Sequence, residues 1–321
     1  MELLKNPEDR GYPVEYLLSR LRGRRANLIR EWKKLLYEPA IFDHLSSAQY
    51  KGFVYDRTPE GLWRNLLKEY GWVYSEMNRQ LREIFKPFFF YTELRTLFIC
   101  LRQLKEQKPA HMDELLLTSL LSDNIKTILK TSPGPDEGIA GLEELLGPLL
   151  KAFQGLTAVF DTEGLRGVEQ RVTNAYLVHV SGTKLYPVLQ AFFSHVIDAR
   201  NIMSLYKAIR LNMKAMPVFI TGGTIAQERC SAILSKGDMF EVIALIRKTT
   251  GLKIDSPDMT RVETALYRWT TRFLKKEARD PLGLGLILDY LWRCSLEAMN
   301  LGVLLHGREL ERELVEAELI V

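Results

Sequence analysis

The sequence predicts an all-α protein, and three observations predict it. Apolar residues recur at helical spacing along almost the whole chain. No alternating β-branched run bounded by turn residues occurs, so strand signals are nearly absent. Proline and glycine mark breaks between the periodic segments, and the clearest loop is "TSPGPDEG" at residues 131–138.

The first predicted helix lies within residues 14–36. Arginines occupy one side and apolar residues the other, which is typical of an amphipathic helix. The apolar positions are Val14, Leu17, Leu18, Leu21, Leu28 and Ile29. The same periodicity continues through residues 61–85, 93–107, 112–131, 141–156, 168–180, 186–214, 230–250, 261–278 and 286–307. Three prolines, Pro109, Pro217 and Pro281, each precede a helical segment by a few residues.

The composition excludes several classes of protein. The 321 residues, 46% hydrophobic and 26% charged, are enough for two or three folded domains. A net charge of +4 is too small for a nucleic-acid binder, which usually carries a dense basic stripe. The N-terminus is charged where a signal peptide needs an apolar core, and no stretch is apolar over the roughly 18 residues of a membrane span. We therefore expect a cytoplasmic chain that does not itself cross a membrane.

The cysteines and histidines predict neither a cofactor nor a metal site. Cys100, Cys230 and Cys294 are odd in number, far apart and within helical segments, as expected of buried, reduced thiols. No pair of them has metal-ligand spacing. The five histidines are scattered and form no pattern typical of a zinc site.

The run "TGGTIA" at residues 221–226 resembles the opening motif of L-asparaginases, in which a threonine attacks an amide. In those enzymes the threonine follows a β-strand near the start of a doubly wound sheet, whereas here helical segments flank the run. The second motif of that family, Gly-Thr-Asp-Thr, does not occur in the chain. We predict a turn instead: Gly222 and Gly223 permit unusual backbone angles, and Thr224 caps the following helix.

A threefold internal repeat is the most informative pattern. Glu93, Asp198 and Glu297 share a helical pattern of acid, two spacers, a polar residue and an aliphatic residue, at separations of 105 (93 to 198) and 99 residues (198 to 297). Further markers are three Val-Glu pairs that open helices and two prolines that follow the acid helices. Together they predict three helical modules at residues 1–108, 109–215 and 216–321, of which the first departs most from the repeat.

Two interpretations of the repeated acids stay open. In the first interpretation, each acid binds an arginine or a helix end within its own module. In the second, the three acids together form a catalytic ring. A partly buried carboxylate normally needs a partner, which favours the first. Arg95 and Arg200 lie two residues after an acid and cannot face it on the same helix, so we expect partners from neighbouring helices.

Three segments carry a resemblance to a known family: residues 16–29 ("YLLSRLRGRRANLI"), 198–225 ("DARNIMSLYKAIR" and then "FITGGTI") and 286–310. They resemble the C subunit of archaeal-type (A-type) and vacuolar-type (V-type) rotary ATPases, whose eukaryotic equivalent is the d subunit. The family's acid helix usually reads Glu-x-x-Asn-Leu. In this chain Glu297, Asn300 and Leu301 fit, Asp198, Asn201 and Ile202 fit with conservative changes, and Glu93, Thr96 and Leu97 depart at the asparagine.

The resemblance implies a mechanical function. Members of the family are all-α funnels of three modules around a pseudo-threefold axis, lying peripherally on the cytoplasmic face of the membrane. Their partners are the proteolipid rotor ring and the central shaft of a motor that couples ion transport to ATP synthesis or hydrolysis. The resemblance implies no catalysis, cofactor, nucleic acid or small-molecule substrate. The alternative is an all-α repeat adaptor that binds another protein in a concave surface.

Two surface features complete the expectations. Residues 20–34 hold seven basic residues against the single acid Glu31. The segment is either a solvated face or a contact with acidic groups of a partner or anionic lipid headgroups, for which the candidates are Arg20, Arg22, Arg24 and Arg25. The aromatic run "FKPFFFYTEL" at residues 85–94 is predicted to be core and not an exposed docking patch.

Overall fold

The structure is a computed structural model that describes residues 3–37, 58–213, 216–252, 258–307 and 310–320, apart from the side chains of residues 59, 109 and 110. These residues form fourteen α-helices and no strand, so the predicted all-α class is confirmed. Leu4 and Leu121 form an isolated antiparallel bridge, the one extended pairing among the described residues. No helix in this part of the chain is both long and apolar enough to cross a membrane.

The helices lie mostly within the predicted periodic segments, but the prediction of one helix within residues 14–36 is wrong, because residues 26–31 are not helical and divide it in two. They are α1 Val14–Arg25, α2 Trp32–Tyr37, α3 Pro59–Glu76, α4 Arg79–Glu106, α5 Pro109–Thr118, α6 Asp123–Thr131, α7 Pro135–Leu146, α8 Leu156–Ser181, α9 Pro187–Arg210, α10 Gln227–Lys236, α11 Met239–Thr250, α12 Met259–Glu277, α13 Gly285–His306 and α14 Arg312–Glu318. A short 3₁₀ turn, Lys151–Phe153, precedes α8.

The sequence explains the two ends of the longest helix, α4. The side chain of Asn78 accepts a hydrogen bond from the N–H of Leu81 at 3.0 Å and so satisfies a free donor of the first turn. Gln107 ends the helix in the left-handed conformation, with φ of 56°. Pro87 lies inside α4 and does not end it. The length of α4 places Glu93 in its interior, away from the free polar groups of either end.

The chain divides into two compact units. The first comprises Met1–Leu17 and Leu67–Tyr186, and the second comprises Leu18–Leu66 and Pro187–Val321. The three predicted modules, 1–108, 109–215 and 216–321, follow a different criterion, the repeat in the sequence. Their boundaries and their threefold arrangement stay predictions.

Aromatic side chains fill the core of the first unit. Tyr74 meets Phe89 edge-on, with ring centroids 5.0 Å apart, and Phe90 packs on Tyr176 at 5.2 Å. Such tilted and edge-on pairs are the favoured aromatic geometries. Phe88, Phe89 and Phe90 are at most 2% exposed, so the predicted core role of "FKPFFFYTEL" is confirmed.

The second unit holds two apolar clusters. The larger packs α9 against α10, α11 and α12 around Ile202, Leu205 and Val262. The smaller, which we call the terminal cluster, consists of Trp32, Leu36, Leu62, Leu301, Leu304, Val315 and Leu319. The three cysteines of the chain are buried free thiols, as predicted.

Candidate functional site

The three predicted acids lie inside the protein. Glu93 on α4 and Asp198 on α9 are 0% exposed, and Glu297 on α13 is 4% exposed. A buried carboxylate is costly unless hydrogen-bond donors surround it. In each case a donor is the backbone N–H of a residue just before a short helix, so we call the three groups acid caps. The partner is therefore a helix start, as one interpretation predicts, but the expectation that it lies in the acid's own module is wrong, because each donor lies outside the predicted module of its acid.

The most complete acid cap is that of Asp198. Its carboxylate accepts hydrogen bonds from the backbone N–H of Thr224 (3.0 Å), the hydroxyl of Thr224 (2.5 Å) and the N–H of Ile225 (3.0 Å). Helix α10 begins at Gln227, two residues further on. The acid on α9 therefore fixes the turn that starts the next helix.

Glu93 holds the corresponding turn in the first unit. It accepts from the N–H of Leu120 at 2.6 Å and from the hydroxyl of Ser119 at 2.8 Å, and α6 begins at Asp123. The ammonium of Lys126 donates to the Ser119 carbonyl at 2.9 Å. Burial raises the pKa of Glu93, and the bonds from Leu120 and its neighbours oppose that rise. This acid is therefore held by neutral donors, and its basic neighbour is Lys126, whose pKa is lowered to about 7, chiefly by burial.

Glu297 takes its partner from the opposite end of the sequence. It accepts from the N–H of Ile29 at 2.6 Å, across 268 residues, and α2 begins at Trp32. Burial raises the pKa of Glu297 to about 8, although the bond from Ile29 lowers it. At neutral pH this acid is therefore mostly protonated.

The asparagines one turn after two of the acids bind the backbone on both sides of one residue. Asn201 donates to the carbonyl of Ile220 and accepts from its N–H, both at 2.8 Å. Asn300 makes the same pair of bonds to Ile320, at 3.0 and 2.9 Å. An amide carries both a donor and an acceptor, which suits it to this pairing. Thr96, buried at the equivalent position on α4, has no amide to offer.

The two glycines of "TGGT" are explained by the acid cap of Asp198. Gly222 has φ of 96°, a left-handed value that favours glycine. A Cβ on Gly223 would lie 2.1 Å from the Oδ1 atom of Asp198. The prediction that Thr224 caps the following helix is wrong. The N-cap residue is Ala226, which makes no side-chain hydrogen bond, and the Thr224 hydroxyl donates its hydrogen bond to Asp198.

Replacement of Gly223 by alanine tests this close approach. We expect Gly223→Ala to lower the free energy of unfolding by about 1–3 kcal/mol, because the added methyl must displace the buried Asp198 carboxylate. Gly23→Ala is the matched control, since a Cβ there meets nothing within 4 Å. Gly23 lies within α1, so this variant should be neutral or slightly stabilised. Urea unfolding of both variants measures the change, and equal unfolding midpoints would contradict the close approach of Gly223 to Asp198.

The raised pKa of Glu297 predicts a pH dependence of stability. Because the folded state keeps the proton up to about pH 8 and the unfolded chain releases it near 4.5, stability falls as the pH rises between these values. The slope contributed by this group is at most roughly 1.4 kcal/mol per pH unit. Glu297→Gln, which resembles the protonated acid at every pH, should lose this component, whereas the exposed Glu228→Gln should keep it. Parallel profiles of the wild type and Glu297→Gln in urea unfolding at pH 5 to 8 would contradict this prediction.

Two of the four arginines of the predicted contact surface bind groups of this chain. Arg25 pairs at 2.8 Å with Asp289, which is fully buried and also binds Arg293 at 2.9 Å. Arg22 donates to the carbonyl of Pro281. Arg20 and Arg24 are partly exposed. Contact of the four arginines with a partner or with lipid stays a prediction.

The backbone partners of the acid caps were not identified from the sequence. A signal was present: Leu120 follows Glu93, and Ile225 follows Asp198, by the same 27 residues. The 27-residue separation does not hold for Glu297 and Ile29, which are 268 residues apart in the sequence.

The comparison with protein families decides which family this is. The model of the ATP synthase (C/AC39) subunit matches residues 17–317, almost the whole chain. The chain belongs to this family. The resemblance that the three segments and the acid helices indicated is therefore confirmed. All three acids of the caps lie within the matched part of the C/AC39 chain.

Curated relatives of this C/AC39 chain are similar over the same extent. Two are named as the C subunit of V-type ATP synthase, and they come from two strains of Thermus thermophilus. Each is 24% identical over 308 residues, covering 90% of this chain and 92% of the relative. Together with the family match, they identify the chain as a rotary ATPase subunit of accessory type.

Proposed function

We propose that this chain is the non-catalytic central-stalk subunit of a V-type or A-type rotary ATPase. It links the proteolipid ring to the central shaft and transmits rotation between them. It lies peripherally on the cytoplasmic face of the membrane as part of the complex. The observation that carries the proposal is the family match over residues 17–317, and the name shared by the two Thermus relatives supports it.

The energy handled by such a motor sets a mechanical requirement. A transmembrane potential supplies about 2.3 kcal/mol per charge per 100 mV, and several ions cross for each nucleotide. The whole stability of a domain is only roughly 5–15 kcal/mol. A coupling protein must therefore spread strain over many contacts. The acid caps suit this requirement, because each ties the start of one helix to the interior of another through directional hydrogen bonds to a buried acid.

The use of the candidate reactive groups supports a non-catalytic role. The carboxyl groups of Glu93, Asp198 and Glu297 are buried and accept hydrogen bonds from backbone N–H groups. The Thr224 hydroxyl, which would be the nucleophile of an amidohydrolase, donates to Asp198. These bonds give the three acids a structural use, because each holds the turn at the start of a helix.

Co-purification tests the proposal. Membranes carrying an affinity-tagged copy of the full chain are solubilised in mild detergent, and the eluate is analysed for ATPase subunits. We expect the proteolipid ring and the shaft subunits to elute with the chain. The matched control is the untagged full chain in the same membranes, from which we expect no ATPase subunits to elute. Recovery of the wild-type chain with another protein and without ring or shaft subunits would favour the adaptor and contradict the proposal.

A further inference from the structure

The third acid cap is assembled differently from the other two. Leu120 lies three residues before α6, Thr224 three before α10 and Ile29 three before α2, so the three caps hold equivalent backbone positions. In the first two caps the capped turn follows the acid by 27 residues: α10 is the next helix after α9, whereas α5 lies between α4 and α6. In the third, the acid is on α13 and the capped helix is α2, near the N-terminus.

Two separate segments serve the acid and the asparagine of α13. Ile29 donates to Glu297, whereas Ile320 pairs with Asn300. On α9, a single segment, residues 219–225, serves both side chains. The third repeat is therefore completed by backbone from both ends of the sequence.

Apolar packing places α2 against α13 and α14. Trp32 and Leu36 belong to the terminal cluster with Leu301, Leu304 and Val315. Two polar contacts join α2 to α14: Lys33 pairs with Glu316 at 2.5 Å, and the Tyr37 hydroxyl donates to Glu316 at 3.2 Å. Lys33 and Tyr37 are exposed, and exposed contacts of this kind contribute little.

We propose that residues 28–37 form a releasable clasp that closes the third repeat and opens while the rest of the second unit stays folded. The Glu297 carboxyl accepts from one backbone N–H of the clasp, whereas Asp198 accepts two backbone bonds and a hydroxyl bond from its turn. Helix α2 has six residues, too few to be stable once detached. The clasp therefore has a closed, helical state and an open, unfolded state.

The inference does not depend on the proposed function. It concerns a conformational equilibrium of this chain alone. A chain without any rotary role would show the same opening, so failure of one does not decide the other.

Native-state hydrogen exchange of the full chain in low urea tests the clasp. We expect residues 28–37 to exchange through a local opening, with protection at least about 10-fold below that of residues 227–236. In Glu297→Ala the protection of residues 28–37 should fall by a further 10- to 100-fold, roughly the loss of one hydrogen bond to a buried acid, with residues 227–236 unchanged.

A second variant keeps the test independent of Glu297. Trp32→Ala weakens the clasp from its apolar side and should produce the same selective loss of protection. The wild type alone is already decisive. If residues 28–37 exchange only in step with the whole second unit, or keep their protection in Glu297→Ala and Trp32→Ala, the clasp does not exist.

Discussion

Asp198→Ala is expected to lower the free energy of unfolding by about 3–5 kcal/mol, the largest effect of any single substitution considered. The substitution removes the acceptor of three hydrogen bonds and leaves the N–H groups of Thr224 and Ile225 without it. It also leaves a space in a site that is 0% exposed. Urea unfolding followed by far-ultraviolet circular dichroism measures the change.

Two further variants serve as an intermediate and a control for Asp198→Ala. Asp198→Asn retains one oxygen acceptor and should fall between the wild type and Asp198→Ala. Asp161→Ala removes an exposed aspartate from α8 and should change stability by no more than about 0.5 kcal/mol. If Asp198→Ala is as mild as Asp161→Ala, the acid cap contributes nothing to the fold.

Asn201→Asp is expected to have the second largest effect, lowering the free energy of unfolding by about 2–4 kcal/mol at neutral pH. The amide of Asn201 donates to the Ile220 carbonyl and accepts from its N–H inside the protein. A carboxylate keeps the acceptor but places a negative charge against the carbonyl oxygen, with no proton to donate. Unfolding by urea at neutral pH measures the loss.

The pH dependence of Asn201→Asp shows whether its loss of stability comes from the charge of the carboxylate. A protonated aspartic acid donates again, so Asn201→Asp should regain part of its stability below about pH 5, relative to wild type at the same pH. Asn212→Asp changes an exposed residue in the left-handed region, where both side chains are tolerated, and should show little change at either pH. A loss for Asn201→Asp that does not vary with pH would show that the backbone pairing is not its cause.

The helices were predictable because their signal is local. The spacing of apolar residues in 186–214 is enough to indicate α9, and turn residues mark the breaks. The repeated acids were also visible, since Asp198, Asn201 and their equivalents recur at nearly constant separation. A buried polar residue within an apolar pattern is a strong indication that it has a defined partner.

The partners themselves could not be predicted, for a physical reason. The atoms that bind Glu297 and Asn300 are backbone groups of Ile29 and Ile320, and every residue except proline offers the same groups. Side-chain identity therefore gives no information about which residue is chosen. Gly223 is the exception, because the close approach of Asp198 requires the absence of a side chain.

The function was indicated by resemblance and not by chemistry. The acids and Thr224 bind backbone or one another, so no arrangement of reactive groups in the described chain points to a substrate. The match of residues 17–317 to the C/AC39 family supplied the assembly to which the chain belongs. Transmission of rotation follows from that assembly as our proposal.

ATP-driven ion uptake into vesicles tests the transmission of rotation most directly. Vesicles are prepared from membranes that contain the complete ATPase complex and from matched membranes that lack only this chain. We predict that vesicles without the chain lose ATP-driven ion uptake while the catalytic subunits still hydrolyse ATP, and that added purified chain restores uptake. Full ATP-driven uptake in vesicles that lack the chain would contradict a role in transmitting rotation.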